Sequence, residues 1–270
     1  MRVFEHGNMN KPDEALATFL EHAQTAGVLD SEGSGLRLRA KRGGFVVCEI
    51  GPGDSVSTAV IAKSLGASRT WLVDAGFFAT TNMRAYTALI DYLRNQGIDI
   101  QSPTVPQRLS ELLEWCGGNY LTNGVQSLEE IPTDSVDFCF SNAVLEHVPK
   151  DDLPVLATES FRVLNPGGIA VHRVDLKDHL GGALNNLRFP EVTWESQLFR
   201  RSGFYTNRTR FRKLVALFEK AGFECRAPRI VRWDFLPTPR GKMAQDFARL
   251  ADEDLLVSGC DLVLVKRGNS

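Results

Sequence analysis

The residues in this chain best suited to chemistry are Glu49-Ile50-Gly51-Pro52-Gly53, which close the apolar run beginning at Phe45. A short β-branched run ended by glycines reads as a buried parallel strand handing over to a helix. Glycines at 51 and 53 let the backbone approach a bound molecule with no Cβ between them. A dinucleotide turn of the Gly-x-Gly-x-x-Gly kind needs a third glycine at 56, where this chain has Val56. Glu49 adds a carboxylate that repels phosphate and attracts a cation, so the turn suits a cationic ligand better than NAD or FAD. About 20 residues further on, Trp71-Leu72-Val73 ends in Asp74, the separation at which an acid meets ribose hydroxyls. His147 and His179 come after two later apolar runs, and an imidazole there can take a proton from an acceptor hydroxyl. His179 is the preferred base. His172, alternating inside its own run, is expected to pack against a helix.

Such residues act together only if several strand ends meet at one edge. Apolar runs at 45–50, 70–74, 136–141, 168–174, 224–232 and 260–266 alternate with helical spacing at 55–65, 82–116, 151–163 and 208–221. That alternation implies an α/β fold: a parallel sheet with helices on both faces and ligands at the carboxyl ends of its strands. One more strand belongs either to Ile98–Gln101 or to Tyr120–Thr122, and the pattern leaves both open. Residues 13–28 have helical spacing and form an N-terminal helix; Glu32-Gly33-Ser34-Gly35 punctuate the chain after it. The expected organisation is an N-terminal helical extension over 1–44 and a main domain over 45–270. Residues 176–207, weakly periodic and rich in glycine, aromatics and arginine, form an inserted cap.

Composition narrows the function. The chain has 270 residues, 43% hydrophobic and 24% charged, an ordinary globular balance. A formal charge of −2 and a pI near 6.2 give no general attraction to phosphate backbones, which disfavours nucleic acid and favours a small-molecule acceptor. No apolar run has membrane-span length and Met1–Glu14 carries no signal-peptide core, so the expected location is cytoplasmic, without membrane insertion. Five scattered cysteines without a Cys-x-x-Cys pair argue against disulfides and structural zinc. Cys48 and Cys139 fall in core strands, where a thiol behaves as a small hydrophobe. Oligomeric state is not legible.

Several ordered motifs together resemble the class I S-adenosylmethionine-dependent methyltransferases, particularly the small-molecule group. They are Glu49-Ile50-Gly51-Pro52-Gly53, Asp74, Ser127-Leu128-Glu129-Glu130-Ile131-Pro132, the Asn142–Val148 segment, and Leu164-Asn165-Pro166-Gly167-Gly168. The resemblance is good over 45–175 and general elsewhere. It implies a Rossmann-like, seven-stranded, mostly parallel sheet and S-adenosylmethionine as cofactor. Gly51, Pro52 and Gly53 would line the methionine moiety, Glu49 would hold its ammonium, and Asp74 with Ala75 would take the ribose. Where relatives meet the adenine amino group with Asp, this chain has Ser127, so that contact would come from its hydroxyl or the backbone around Leu128. Asn142 and His147 would flank the methionine end and the substrate entrance. The Pro-Gly-Gly turn would stop the preceding helix and redirect the chain into the sheet.

The residues just after the fourth strand narrow the acceptor. Ser141-Asn142-Ala143-Val144 is unlike the Asn/Asp-Pro-Pro-aromatic motif of adenine-amino methyltransferases, and Cys139 sits in a strand, not in the Pro-Cys of cytosine enzymes. The cap carries Arg188, Arg200, Arg201, Arg208, Arg210 and Arg212, with the rings of Phe189, Trp194, Phe199, Phe204 and Tyr205. Aromatic faces stack on sugar rings and guanidinium forks pair with carboxylate or phosphate. The favoured acceptor is therefore a hydroxyl oxygen of a saccharide or other anionic metabolite. The alternatives are a small-molecule N-methyltransferase, whose amine needs no base, and a non-catalytic methyltransferase-like partner subunit. Asn142, Asp175 and Asp178 lack a recognisable metal spacing, so metal-independent activity is expected.

Overall fold

A computed structural model describes residues 9–30, 36–100 and 106–268. In chain order the elements begin with α1 (Pro12–Ala26), the short strands β1 (Leu29–Asp30) and β2 (Arg37–Leu38), β3 (Phe45–Ile50), α2 (Ser57–Ser64) and β4 (Ala67–Val73). There follow α3 (Met83–Asn95), α4 (Leu109–Cys116), β5 (Gly118–Leu121), β6 (Val136–Asn142), α5 (Leu153–Val163) and β7 (Leu164–Asp175). The chain closes with α6 (Glu191–Trp194), α7 (Gln197–Arg200), α8 (Phe211–Lys220), β8 (Glu224–Arg232), α9 (Gln245–Ala248), α10 (Asp252–Leu255) and β9 (Val257–Val265).

The main sheet has seven strands in the order β5-β4-β3-β6-β7-β9-β8. β3, β4, β5, β6 and β7 pair in parallel, while β9 runs antiparallel to both β7 and β8. This is the expected seven-stranded, mostly parallel architecture. The open choice for the third strand falls to β5; residues 98–100 belong to no strand, and Gln101 lies outside the described residues, as does the Glu32–Gly35 stretch. Winding reverses between β3 and β6, and the crevice at that switch point is where an open α/β sheet binds ligands.

The central strands are buried on both faces, as their unbroken apolar runs require. α1 to α4 supply one layer, with Phe19 of α1 edge-on to Phe138 and Phe140 at 6.3 and 5.8 Å. Pro12 at its first turn, Asp13 and Glu14 against the helix dipole, and Gly27 in the left-handed conformation (φ 65°) delimit that helix. α5, α8 and a 3₁₀ segment at Gly124–Glu130 supply the other layer. His172 packs there as expected, stacked on Phe218 of α8 at 5.6 Å. Its Nδ1 lies 2.8 Å from the Ser141 hydroxyl, and burial pushes its pKa down to about 3, so the ring is a neutral core residue. Pro166-Gly167-Gly168 forms a bulge inside β7, where a Cβ on Gly168 would lie 2.8 Å from the Asn165 carbonyl. All five cysteines are free, and Cys48 faces Cys139 across β3 and β6. No described helix is long and apolar enough to cross a membrane.

Two connections stand out from this frame. One is the 176–210 segment between β7 and α8, which contains the expected cap. The other is 233–256, between β8 and β9. The two pack together: Leu184 and Leu187 from the first meet Met243 and Leu255 from the second.

Candidate functional site

Gly51 and Gly53 take φ of 74° and 68°, the left-handed region that glycine enters without strain. The turn is held from β4: the Gly51 amide donates to the Val73 carbonyl at 2.8 Å, and the Gly53 amide donates to Asp74 Oδ2 at 2.9 Å. Asp74 Oδ1 accepts from the Ala75 amide at 2.7 Å. Asp74 thus organises the turn besides facing the edge. A Cβ on Gly51 would lie 2.8 Å from Val144 Cγ1 and nearer still to Cγ2, so the glycine is demanded by the approach of the loop after β6.

Glu49 is 2% exposed, and its Oε2 has no hydrogen-bond partner among the described residues. Burial pushes its pKa up to about 8; the neighbouring Thr58 hydroxyl pulls it down and the charge of Asp74 pushes it further up. Asn142, at the end of β6, likewise has a buried Oδ1 without a partner among the described residues. The next residue, Ala143, is held at φ 54°, a conformation that non-glycine residues adopt mainly where the surrounding structure imposes it. Buried acceptors without donors are rare, and this pair fits a ligand that brings N–H groups, an ammonium above all.

Ser127 and Leu128, expected beside an adenine, are both completely buried. The Ser127 hydroxyl accepts from the Asn123 amide at 2.9 Å, and the Leu128 carbonyl accepts from Arg162 at 2.7 Å. The residues on the edge at this point are Gly124, whose amide donates to the Asp74 carbonyl at 2.8 Å, and the exposed Gln126. Pro52 is buried under the turn and Ala75 is exposed beside it. Tyr120 secures the loop after β4: its hydroxyl accepts from the Phe78 and Ala79 amides and donates to the Gly76 carbonyl. Exposed Phe77 leans on the Tyr120 ring at 5.4 Å. Motif spacing alone points to neither Tyr120 nor Gln126.

His147 and His179, 32 residues apart in sequence, come together with ring centroids 4.9 Å apart, both exposed. His147 Nδ1 lies 3.2 Å from the Tyr205 carbonyl oxygen. A carbonyl oxygen only accepts, so the neutral ring carries its proton on Nδ1, and Nε2 is the basic nitrogen. His179 rides on a loop tied by Asp178, whose carboxylate accepts from the Leu180, Ala183 and Asn185 amides. Glu146, beside His147, is 4% exposed; Oε1 accepts from the Asp175 amide at 3.2 Å, and burial raises its pKa to about 8. Asp175 itself accepts from the Lys177 amide and pairs with its ammonium. No three His, Cys, Asp or Glu side chains converge as a metal site among the described residues.

Most of the arginines and rings of the 176–210 segment that were expected to face an acceptor serve the segment itself. Trp194 is fully buried among Phe189, Phe199 and Phe204 as a small core of its own. Arg208, with no exposed side-chain surface, lies over Trp194 and Phe247, bonds the Phe189 carbonyl and pairs with Glu191. Arg210 spans the carbonyls of Leu176, Leu255 and Val257, and burial lowers its pKa to about 10. Arg200 pairs with Asp151 and Glu195. An inserted segment needs its own apolar core and its own carbonyl donors, and these residues meet that need.

The methyltransferase-domain family model matches residues 10–227. No curated protein matches the sequence. Among solved structures the chain is similar to an O-methyltransferase family protein from Burkholderia thailandensis (9% identity, 97% of this chain and 58% of that one, TM-score 0.50). It is also similar to a methyltransferase from Methanosarcina mazei described as SAM-dependent (17% identity, 85% and 95% covered, TM-score 0.47). A third is the chain solved with the Haloferax volcanii Trm112 methyltransferase activator (15% identity, 98% and 99% covered, TM-score 0.46). At such identities the likeness concerns the fold alone.

Proposed function

This chain belongs to the class I S-adenosylmethionine-dependent methyltransferases, and we propose that it methylates a hydroxyl oxygen of a small molecule, with His147 taking the hydroxyl proton. The observation that carries this reading is the contact of His147 Nδ1 with the Tyr205 carbonyl, on a ring whose centroid lies 4.9 Å from that of His179. S-adenosylmethionine supplies a methyl group already activated by positive sulfur, which leaves by in-line displacement. The chain then has to align the acceptor, exclude water and remove one proton. Alignment can supply most of the rate, through effective molarities of order 10⁵ to 10⁸ M, and a base adds about 10² to 10⁴-fold.

The cofactor fits the unpartnered oxygens of Glu49 and Asn142, which would receive the ammonium and its surroundings. Gly51, Pro52 and Gly53 would lie along the methionine moiety, Asp74 and Ala75 along the ribose, and Gly124 with Gln126 beside the adenine. A hydroxyl acceptor favours a base on His147 over one on His179, because a fixed tautomer presents a basic nitrogen without prior rearrangement. Arg188 and Arg201 remain exposed on the cap without a bonded carboxylate among the described residues. A saccharide or other anionic metabolite would meet those two. Screening methyl transfer to nucleotide sugars, sugar phosphates, phenols and amines tests the reading; turnover confined to amines would replace it with N-methylation. No transfer at all, despite tight cofactor binding, would favour a non-catalytic partner subunit.

Two further results are expected at the cofactor end. Glu49 is largely protonated at neutral pH in the unliganded protein, with its pKa near 8, and an ammonium beside it favours the carboxylate. Binding therefore releases a proton below pH 8, and affinity rises with pH up to about 8 before levelling. Calorimetry of S-adenosylhomocysteine in two buffers of different ionisation enthalpy reads this directly, and Glu49→Gln should remove the buffer dependence. Equal heats in both buffers for the parent protein would contradict it. Asp74→Ala should weaken the same ligand by about 1.5–3 kcal/mol, because a carboxylate that accepts from the Gly53 amide of the turn and from the Ala75 amide is lost along with the ribose contact. Unchanged affinity would remove Asp74 from the site.

A further inference from the structure

We propose that Asn207, in the buried stretch that ends the cap, is the positioning residue of His147: it fixes the loop that carries the imidazole and, through that loop, the tautomer that leaves Nε2 basic. The inference deepens the reading of His147 as a base and rests on it for its catalytic meaning.

The loop after β6 makes one tight turn that no helix continues, so its carbonyls need donors from elsewhere. Val144 meets its own need, its carbonyl accepting from the His147 amide at 2.8 Å. Three more, those of Leu145, Glu146 and Val148, are met from a single residue. Asn207 Nδ2 donates to the Leu145 carbonyl at 2.6 Å and to the Val148 carbonyl at 2.9 Å, and the Asn207 backbone amide donates to the Glu146 carbonyl at 2.7 Å. Its Oδ1 accepts from the Thr209 amide at 2.9 Å, so the amide group is held from its other side as well. Asn207 is 2% exposed, and water cannot stand in for these bonds. Only a side-chain amide on this short stem offers two N–H donors and an acceptor together: aspartate offers none of the donors and serine one.

Tyr205, two residues earlier in the same stretch, supplies the carbonyl that receives His147 Nδ1. That carbonyl is itself fixed in the cap. The Tyr205 hydroxyl donates to Glu195 at 2.9 Å, and Trp194 Nε1 donates to the neighbouring Thr206 carbonyl at 2.7 Å. Residues 205–209 therefore act as a strap. Asn207 clamps the loop from below the imidazole, and the Tyr205 carbonyl sets which ring nitrogen keeps its proton. Without the clamp, two buried carbonyls lose their donors, the loop relaxes, and the Nδ1 contact at its far end loses its geometry.

The first measurement needs no acceptor. Imidazole ¹⁵N spectra of the parent, assigned with His147→Ala, should show His147 with its proton on Nδ1 and Nε2 unprotonated. Asn207→Ser keeps one donor and is the variant chosen to remain folded; Asn207→Asp removes both donors at nearly the same shape. In Asn207→Ser the two ring nitrogens of His147 should move toward each other as the tautomers mix, while S-adenosylhomocysteine affinity stays within about threefold. On any hydroxyl acceptor the same variant should lose roughly 10 to 100-fold in kcat, the scale of a misplaced reacting group, with KM little changed. A parent spectrum with the proton on Nε2 overturns the proposal. So does an Asn207→Ser protein that melts earlier but keeps the His147 tautomer and kcat of the parent. A tautomer lost in Asn207→Ser, together with undiminished turnover in His147→Ala, supports the clamp and rejects the base, so the two readings fail separately.

Discussion

Turnover on a hydroxyl acceptor is expected to fall about 10² to 10⁴-fold in His147→Ala, with S-adenosylhomocysteine affinity within a few fold of the parent, because the lost interaction belongs to the transition state. His179→Ala is expected to cost less, roughly tenfold at most, through the packing of its ring on His147. Both histidines come after strands, and His179 was preferred in the sequence because the family resemblance puts His147 nearer the methionine end. The proposal of His147 instead rests on its orientation by the Tyr205 carbonyl and on the Asn207 bonds to its loop. A larger loss in His179→Ala than in His147→Ala would return the base to His179. Near-normal rates in both variants on the natural acceptor would mean that an amine, or an already acidic hydroxyl, is methylated by positioning alone.

Gly51→Val should abolish cofactor binding in calorimetry and, with it, methyl transfer. Two effects act together. A residue with a Cβ held at φ 74° pays roughly 1–2 kcal/mol for the left-handed conformation. Its Cβ would also stand 2.8 Å from Val144 Cγ1 and nearer still to Cγ2, well inside contact distance. Val144 opens the loop that carries Glu146 and His147, so either the glycine turn or that loop must move, and both border the same crevice. The expected injury is thus a collision within the protein itself, not only an intrusion into the space of the methionine moiety. Gly51→Ala combined with Val144→Ala should recover part of the binding that Gly51→Ala loses, since the truncation removes both clashing methyls. A folded Gly51→Val protein that binds S-adenosylhomocysteine normally would show that the crevice at Gly51 is not the cofactor site.

Whatever depends on local pattern was legible in the residues alone. The strand at 45–50, the glycine turn, the acid at 74 and the alternation of strands and helices arise from burial on both faces of a parallel sheet and from backbone geometry. His172 was legible as a core residue for the same reason: inside a strand, side-chain direction alternates with a period of two. Long-range demands were not legible. The Ser127 hydroxyl is turned inward by the Asn123 amide, and the arginines of the cap are drawn to carbonyls up to 47 residues away, as Arg210 is to Val257. An arginine written in sequence looks the same whether it will bind an anion or satisfy buried backbone. Nor were residues 233–256 assigned from the sequence; their Met243 and Leu255 pack on Leu184 and Leu187 of the cap segment. Only in three dimensions do residues 145–148 and 205–209 meet, and the roles proposed for His147 and Asn207 rest on that meeting: which carbonyls need a donor, and which side chain reaches them, is set by two loops that share no sequence pattern.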